Sequence, residues 1–265
     1  MRYGAMNHPA RPVLDELAEI AGLGFDYLEL TLDPPEAHHS QVRKMAAKLR
    51  AELRRRQMGL VCHMPTFVSL ADLTDSIRRA SVGEVLASLE AAAELQPAHV
   101  VLHPAHIAGM GPYVMDMARQ HALDSLAAIA DRAGELGLVV CLENMFPRTL
   151  FCVEPDDFQL VFEQFPALQL TLDIGHGCIG SPRGNRVLQF IQRFAKRVGH
   201  LHVSDNFGKR DDHLPLGTGS IPFAAILKEL KKTGFSRTVT FEVFTDDRQQ
   251  LLHSKGTFET QWARF

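Results

Sequence analysis

Short apolar runs alternate with longer amphipathic segments from one end of the chain to the other. The apolar runs have the length and composition of β-strands and cover Arg2–Met6, Tyr27–Leu32, Leu60–His63, His99–His103, Val139–Glu143, Gln169–Asp173, Val198–His202 and Thr238–Phe244. The segments between them have the apolar spacing of α-helices and cover Val13–Ala21, Ser40–Arg56, Ser81–Leu95, Met117–Leu136, Asp156–Phe165, Arg186–Ala195 and Ile221–Thr233. A last helix, with a weaker pattern, is predicted from near Asp247 through Leu252 toward Trp262.

Strands that alternate with helices predict parallel strands joined by right-handed crossovers. Eight such units in 265 residues give about 33 residues each, as in a (β/α)8 TIM barrel of roughly 250 residues. A doubly wound open sheet is the alternative α/β fold, but its usual Gly-rich fingerprint is missing after the first strand, where Gly4–Asn7 reads GAMN. No linker or change in composition interrupts the pattern, so residues 1–265 are predicted to form a single barrel domain.

Composition and charge limit the cellular compartment and the binding partners that are expected for this protein. A formal net charge of −3 gives no long-range attraction to nucleic acid or to an anionic membrane, although a basic patch or bound cations could still attract an anion. No apolar stretch approaches the roughly 20 residues of a membrane helix, and the MRYGAMNHP start lacks the apolar core of a signal peptide. A cytoplasmic protein with no membrane contact is expected, with Cys62 and Cys141 as buried free thiols.

Histidine and acidic residues stand at the ends of six successive predicted strands. They are His63, His103, Glu143 (followed by Asn144), Asp173 (with His176 three residues later), His202 (followed by Asp205) and Glu242. One such residue alone would more often be a hydrogen-bonded histidine or a helix cap. In a barrel, however, the carboxyl ends of all strands meet at the face that carries active sites. Residues alternate along each strand between the barrel interior and the helix layer, so an inward His63 puts Cys62 outward. Burying so many ionisable groups together is unfavourable unless divalent cations compensate. Histidine with carboxylate suits zinc, manganese, iron or cobalt, and without cysteine ligands a structural zinc site is not expected.

This ordered series resembles the xylose isomerase-like TIM barrel superfamily, which includes sugar phosphate isomerases and epimerases and endonuclease IV. The resemblance covers nearly the whole chain. In the epimerase branch, Glu, Asp, His and Glu from strands five to eight hold one metal ion. The resemblance therefore implies that Glu143, Asp173, His202 and Glu242 are metal ligands here. It also implies that Glu143 and Glu242 move a proton at the carbon next to a carbonyl.

Endonuclease IV holds further zinc ions, and its additional ligands also have counterparts in this chain. By resemblance these are His63, His103, His176, Asp211 and His213, so one to three ions are expected. The segment FVSLADLTDSIRRAS after His63 is similar as well. The resemblance therefore leaves a second function open, a metal-dependent phosphodiesterase that acts on abasic DNA.

Several other residues are candidates for substrate contact. Backbone N–H groups of Gly217 and Gly219 could hold a phosphate, although a plain Gly-rich loop that caps a helix is the alternative. Lys209 and Arg210 could face a phosphate or carboxylate, or could simply be solvated. Asn144 and Asp205 complete the candidates, and Asp205 is expected to orient a ligand or to contact substrate rather than to bind metal.

An isomerase or epimerase of a small sugar or sugar phosphate is the expected function. The metal would polarise a carbonyl, one glutamate would remove the neighbouring proton and the other would return it, while His176 positions a hydroxyl. A dehydratase or lyase would share the first step. DNA is the less favoured substrate because the loop DPPEAHHS is acidic and NHPARP carries only Arg11. A metal-binding scaffold without catalysis is the third alternative, and an oligomer is compatible with the sequence.

Overall fold

A computed structural model describes residues 1–265 and shows a closed barrel of eight parallel strands in the order β1 to β8. The strands are β1 (Arg2–Met6), β2 (Tyr27–Thr31), β3 (Gly59–His63), β4 (Val100–Leu102), β5 (Val140–Glu143), β6 (Gln169–Asp173), β7 (Val198–Val203) and β8 (Thr238–Phe241). The predicted (β/α)8 TIM barrel is confirmed, and the doubly wound sheet is not formed.

Nine α-helices surround the barrel. They are α1 (Val13–Gly22), α2 (His39–Arg55), α3 (Asp75–Leu95), α4 (Met115–Glu135), α5 (Pro155–Gln164), α6 (Ile174–Cys178), α7 (Asn185–Phe194), α8 (Phe223–Lys232) and α9 (Gln249–Ala263). Two of them depart from the prediction: α3 begins at Asp75 rather than Ser81, and α6 was not predicted because a single turn shows no periodicity. The last helix, predicted from a weaker pattern, is present as α9. None of the helices combines the length and the apolar character needed to cross a bilayer.

The side chains of each strand alternate between the helix layer and the barrel interior. Outward residues such as Leu28, Cys62 and Leu142 join a continuous apolar core under the helices. The expected outward position of Cys62 is therefore confirmed, and its thiol is free and buried. The inward positions are much more polar, and only a small separate apolar cluster, Tyr27, Val61 and Val101, lies apart from the main core.

His99 is an uncharged histidine in this interior. It is buried, its ring centroid lies 4.7 Å from that of His200, and its Nε2 has no hydrogen-bond partner. Burial, with repulsion from His200, lowers the pKa of His99 to about 3. Its protonation therefore favours the unfolded chain whenever the pH lies below the unfolded-state pKa of about 6.5.

We expect His99 to make the metal-free protein sensitive to acid. Because the pKa of His99 is lower in the folded chain than in the unfolded chain, its contribution to the free energy of unfolding is complete above about pH 6.5. Below that pH the free energy of unfolding falls by up to about 1.4 kcal/mol per pH unit. Urea unfolding of the wild type and of His99→Gln between about pH 7 and pH 5 measures this directly. The variant should show the shallower dependence of unfolding free energy on pH, whereas parallel curves would show that His99 does not carry the effect.

Candidate metal centre

Four predicted ligands converge at the carboxyl ends of β5 to β8. Glu143 and Asp173 end β5 and β6, His202 lies in β7, and Glu242 follows β8 directly. Parallel pairing places Asp173 beside His202, and one ligand atom from each of the four side chains lies within 4.8 Å of the other three. The Nδ1 atom of His202 is 3.3 Å from Glu143 Oε2, 3.2 Å from Glu242 Oε1 and 3.9 Å from Asp173 Oδ2. We call these four residues the central group.

The central group contains buried polar atoms that have no hydrogen-bond partner. Both carboxylate oxygens of Glu143, Oδ2 of Asp173 and Nδ1 of His202 are buried and have no hydrogen-bond partner. Such atoms are rare in folded proteins because each loses its contact with water without replacement. A divalent cation among them would supply the missing partner to all three side chains, so the residues present fit a metal ion.

The electrostatics of the central group point the same way. Burial, with repulsion from Glu143 and Glu242, raises the pKa of Asp173 to about 7 despite the attraction of His176. Burial also opposes ionisation of Glu143, but the nearby His202 and other histidines outweigh it and hold its pKa well below the ordinary value. A cation would offset the burial and the repulsion that raise the pKa of Asp173, so metal binding and full ionisation of the carboxylates would favour each other.

Two more of the predicted ligands share Glu143 with the central group. Its Oε2 atom is 3.5 Å from His63 Nε2 and 3.3 Å from His103 Nε2, and the three atoms form a second possible cation group. His63 Nδ1 donates to the Met64 carbonyl at 2.8 Å, which directs Nε2 toward the carboxylate. Glu143 outweighs the effect of burial on His63 and raises the pKa of that ring to about 9.

The remaining predicted ligands meet around Asp211 in the loop after β7. Its Oδ2 atom is 3.0 Å from His176 Nε2 and 2.8 Å from His213 Nε2. The opposite nitrogens, Nδ1 of both rings, face the backbone carbonyls of Asn144 and Glu242 at 3.1 and 3.2 Å. Metal-binding histidines commonly pair one nitrogen with a carbonyl in this way and offer the other nitrogen to the ion. The fold thus brings all the predicted ligands together, and their binding of metal stays a prediction.

A cavity of about 550 Å³ opens above these groups. Its polar lining includes Asp33, His106, His176, His213 and Glu242. Its apolar lining includes Phe67, Phe146 and Phe244. An apolar wall with a few converging polar groups is the usual composition of a small-molecule site, so this cavity is the candidate ligand-binding site.

Asn144 directly follows β5, and its side chain contacts the end of the neighbouring strand β6. Its side chain is fully buried, with Oδ1 accepting from the Asp173 N–H at 2.8 Å and Nδ2 donating to the Asp173 carbonyl at 2.9 Å. Both ends of the amide are therefore engaged with the end of β6. This geometry supports a role in positioning Asp173 and offers nothing toward the predicted contact with substrate.

The Gly-rich loop before α8 is organised around Asp205. The buried carboxylate accepts from the N–H groups of Gly217 at 2.9 Å, Gly219 at 3.0 Å and Ile221 at 3.2 Å. A Cβ atom at Gly219 would lie 2.3 Å from Asp205 Oδ1, so only glycine fits. The geometry therefore argues against the predicted phosphate site on Gly217 and Gly219, because their donors already have an anionic partner within the chain.

Lys209 and Arg210 lie on the exposed part of the same loop. The Arg210 side chain is 82% exposed and pairs with Asp212 at 3.0 Å. Neither residue lines the cavity. The structure gives no support to the predicted contact of these two side chains with substrate.

Sequence reasoning missed three buried residues that lie at or beneath the centre. Glu29 and His200 lie inside the barrel next to His202. Asp33 lines the cavity and accepts from Thr31 Oγ1 at 2.6 Å and from the Thr66 N–H at 2.9 Å. The sequence contains a signal for two of them. Glu29 interrupts the apolar run YLELT, and Asp33 follows the second strand in the same way as the predicted ligands follow the later strands.

Comparisons with known proteins agree with this architecture. An uncharacterized protein of Methanocaldococcus jannaschii is 26% identical over 250 residues, which cover 91% of this chain and 83% of that protein. Fructoselysine 3-epimerase of Escherichia coli O157:H7 is 21% identical over 248 residues, 90% of this chain and 88% of the relative. The crystal structure of a D-tagatose 3-epimerase-like protein superposes on this chain with a TM-score of 0.88 at 22% sequence identity. The match covers 100% of this chain and 98% of the chain in that crystal structure.

The family described as the xylose isomerase-like TIM barrel matches residues 17–262. That span includes β2 to β8 and all the candidate ligands. The predicted resemblance is thereby confirmed, and this chain belongs to the xylose isomerase-like TIM barrel family.

Proposed function

We propose that the protein is a divalent-metal-dependent epimerase or isomerase that acts on a small sugar by proton transfer next to a carbonyl. One observation carries this proposal: two glutamates, Glu143 and Glu242, belong to one compact ligand group at the wall of a small-molecule cavity. The fructoselysine 3-epimerase relative and the epimerase-like fold support the same reaction class.

In the proposed reaction the metal ion and the protein side chains have separate roles. A bound divalent cation supplies Lewis acidity, which makes the hydrogen next to a carbonyl more acidic. Glu242 lines the cavity that would hold the substrate, whereas Glu143 lies deeper in the same group. In our proposal one of the two removes the proton and the other returns it, and His176, also on the cavity wall, positions a hydroxyl.

The lining of the cavity favours an uncharged sugar over a sugar phosphate. No lysine or arginine lines it, and its charged side chains are the acids Asp33, Asp211 and Glu242 together with any protonated histidines. The aromatic walls offer apolar surface to the C–H faces of a sugar ring. We therefore propose a neutral ketose or a ketose derivative as substrate.

Proton transfer can be tested without knowledge of the product. In D₂O, metal-loaded protein should introduce deuterium at the carbon next to the carbonyl of a neutral ketohexose, because a glutamate exchanges its proton with solvent between removal and return. NMR of a panel of ketohexoses and their phosphate esters measures both the exchange and the preference. We expect at least about a tenfold higher kcat/KM for the neutral sugars, which corresponds to about 1.4 kcal/mol.

The Lys209→Ala and Arg210→Ala double variant is the control for this preference. Since neither side chain lines the cavity, kcat/KM for a neutral sugar should stay unchanged. A preference for phosphate esters that disappears in the double variant would contradict the neutral-substrate assignment. Absence of exchange with every sugar would contradict the proposed reaction.

A phosphodiesterase is the second candidate, and the predicted ligands outside the central group favour it. His63 and His103 beside Glu143, and His176 and His213 around Asp211, offer places for more than one ion. Several ions together could stabilise both oxygens of a phosphodiester displacement. Elemental analysis of protein purified without chelator distinguishes the candidates: about one ion per chain favours the central group and sugar chemistry, and two or three favour trials with abasic DNA.

A further inference from the structure

A buried hydrogen-bond network lies inside the barrel beneath the central group, and Glu29 of β2 is its centre. Glu29 is fully buried, as are His200 and His202 of β7 on the far side of the interior. Its Oε1 is 2.9 Å from His202 Nε2, and its Oε2 is 3.0 Å from His200 Nε2. One carboxylate therefore joins a proposed metal ligand to a second histidine that is not among the proposed ligands.

The direction of each hydrogen bond follows from the partners. An ionised carboxylate only accepts, so His200 and His202 must both donate through Nε2. The Thr240 hydroxyl also donates to Glu29, and Tyr27 OH lies 2.8 Å from Thr240 and donates in turn. His200 Nδ1 then accepts from the Thr238 hydroxyl at 2.8 Å. These donors compensate the burial of the Glu29 charge.

The two nitrogens of His202 consequently face opposite environments. Nε2 meets Glu29, whereas Nδ1 is unpaired and faces Glu143, Glu242 and Asp173 within 3.2–3.9 Å. Without Glu29, those three carboxylates would make Nδ1 the favoured place for the single proton of a neutral ring. A proton there would occupy the lone pair that a cation needs.

We propose that Glu29 is a positioning residue that keeps the proton of His202 on Nε2 and leaves Nδ1 free for the divalent cation. The inference rests on the proposed metal-dependent function and adds a residue outside the ligand set. It also accounts for His200, which holds the second oxygen of Glu29 and so fixes the plane of the carboxylate. Carboxylate partners of this kind orient metal-bound histidines and raise their basicity, and their loss commonly weakens metal affinity by about 10- to 100-fold.

The test compares Co²⁺ binding by metal-free wild type and metal-free Glu29→Gln. Titration calorimetry and the visible absorption of the bound ion measure the binding. The amide has the same shape as the carboxylate but offers one acceptor for two donating rings. We expect the dissociation constant to rise by about 10- to 100-fold and the Co²⁺ absorption at saturation to change, because the ligand field of His202 changes. Thermal unfolding of the metal-free variant verifies that it is folded.

Glu16→Gln is the matched control, because Glu16 is another fully buried glutamate and pairs with Arg11 and Arg248 away from the ligands. It should leave both the Co²⁺ dissociation constant and the spectrum unchanged. A folded Glu29→Gln protein with the affinity and spectrum of wild type would overturn the inference and leave the proposed function standing. A wild type that binds no Co²⁺ would overturn both.

Glu29→Asp provides the second variant if the glutamine substitution prevents folding. It keeps the charge but withdraws the carboxylate by one methylene from His202. We expect a weaker Co²⁺ affinity than that of wild type here too. An unchanged dissociation constant in folded Glu29→Asp protein would equally overturn the role of this contact.

Discussion

Glu143→Gln is expected to lower turnover of the sugar substrate by at least about 10⁴-fold while the barrel stays folded. A positioned general acid or base contributes about 10²- to 10⁴-fold by itself, and Glu143 is proposed to be a metal ligand as well. Its Oε2 atom lies 3.3 Å from both His202 Nδ1 and His103 Nε2, so it belongs to two of the possible cation groups. The amide preserves shape and volume but loses the charge on which both roles depend.

Steady-state kinetics with a substrate identified by deuterium exchange measure this loss. Circular dichroism and thermal unfolding of the metal-free variant check the fold, which should survive because the substitution relieves the repulsion between Glu143 and Asp173. Glu163→Gln makes the same chemical change on the exposed face of α5 and should keep full activity. Turnover at the wild-type rate in Glu143→Gln would exclude the mechanism proposed here.

Removal of metal is expected to abolish activity and to lower thermal stability together. An ion that binds only the folded chain adds about 2.7 kcal/mol to the free energy of unfolding when its free concentration is 100 times its dissociation constant. For a domain of this size that free energy corresponds to about 5–10 °C in the unfolding midpoint. The buried unpaired atoms of Glu143, Asp173 and His202 would be the source of the difference.

Chelation, dialysis and measurement of residual metal give the metal-free protein for kinetics and calorimetry. Activity and midpoint should return when Mn²⁺, Co²⁺, Zn²⁺ or Fe²⁺ is restored, and comparison of the four identifies the preferred ion. The Glu143→Gln protein should show a much smaller shift of the midpoint under the same additions. Undiminished turnover in protein with less than about a tenth of an ion per chain would contradict metal dependence, given that the ion is expected to lower the barrier by several kcal/mol.

Most of the barrel was predictable because its pattern is local. Strands β1 and β6 have their predicted limits, and the other six differ by three residues or fewer at either end. Alternation along a strand also predicted that Cys62 faces the helices, since only one side of each strand contacts them. The early start of α3 and the single turn of α6 were missed, because neither the segment from Asp75 to Ala80 nor a five-residue helix shows a helical repeat of apolar residues.

By itself, the sequence determined the barrel, the order of its strands and the ligand types at the strand ends. These follow from local periodicity and from the rule that the carboxyl ends of parallel strands meet at one face. Only the tertiary structure decided which polar groups pair with each other: Asp205 occupies the N–H groups of the Gly-rich loop, Asn144 holds the end of β6, and Glu29 reaches His202 across the interior. Glu29 and His202 are 173 residues apart, and hydrogen bonds across a closed barrel depend on its register and diameter, which no local pattern of residues encodes.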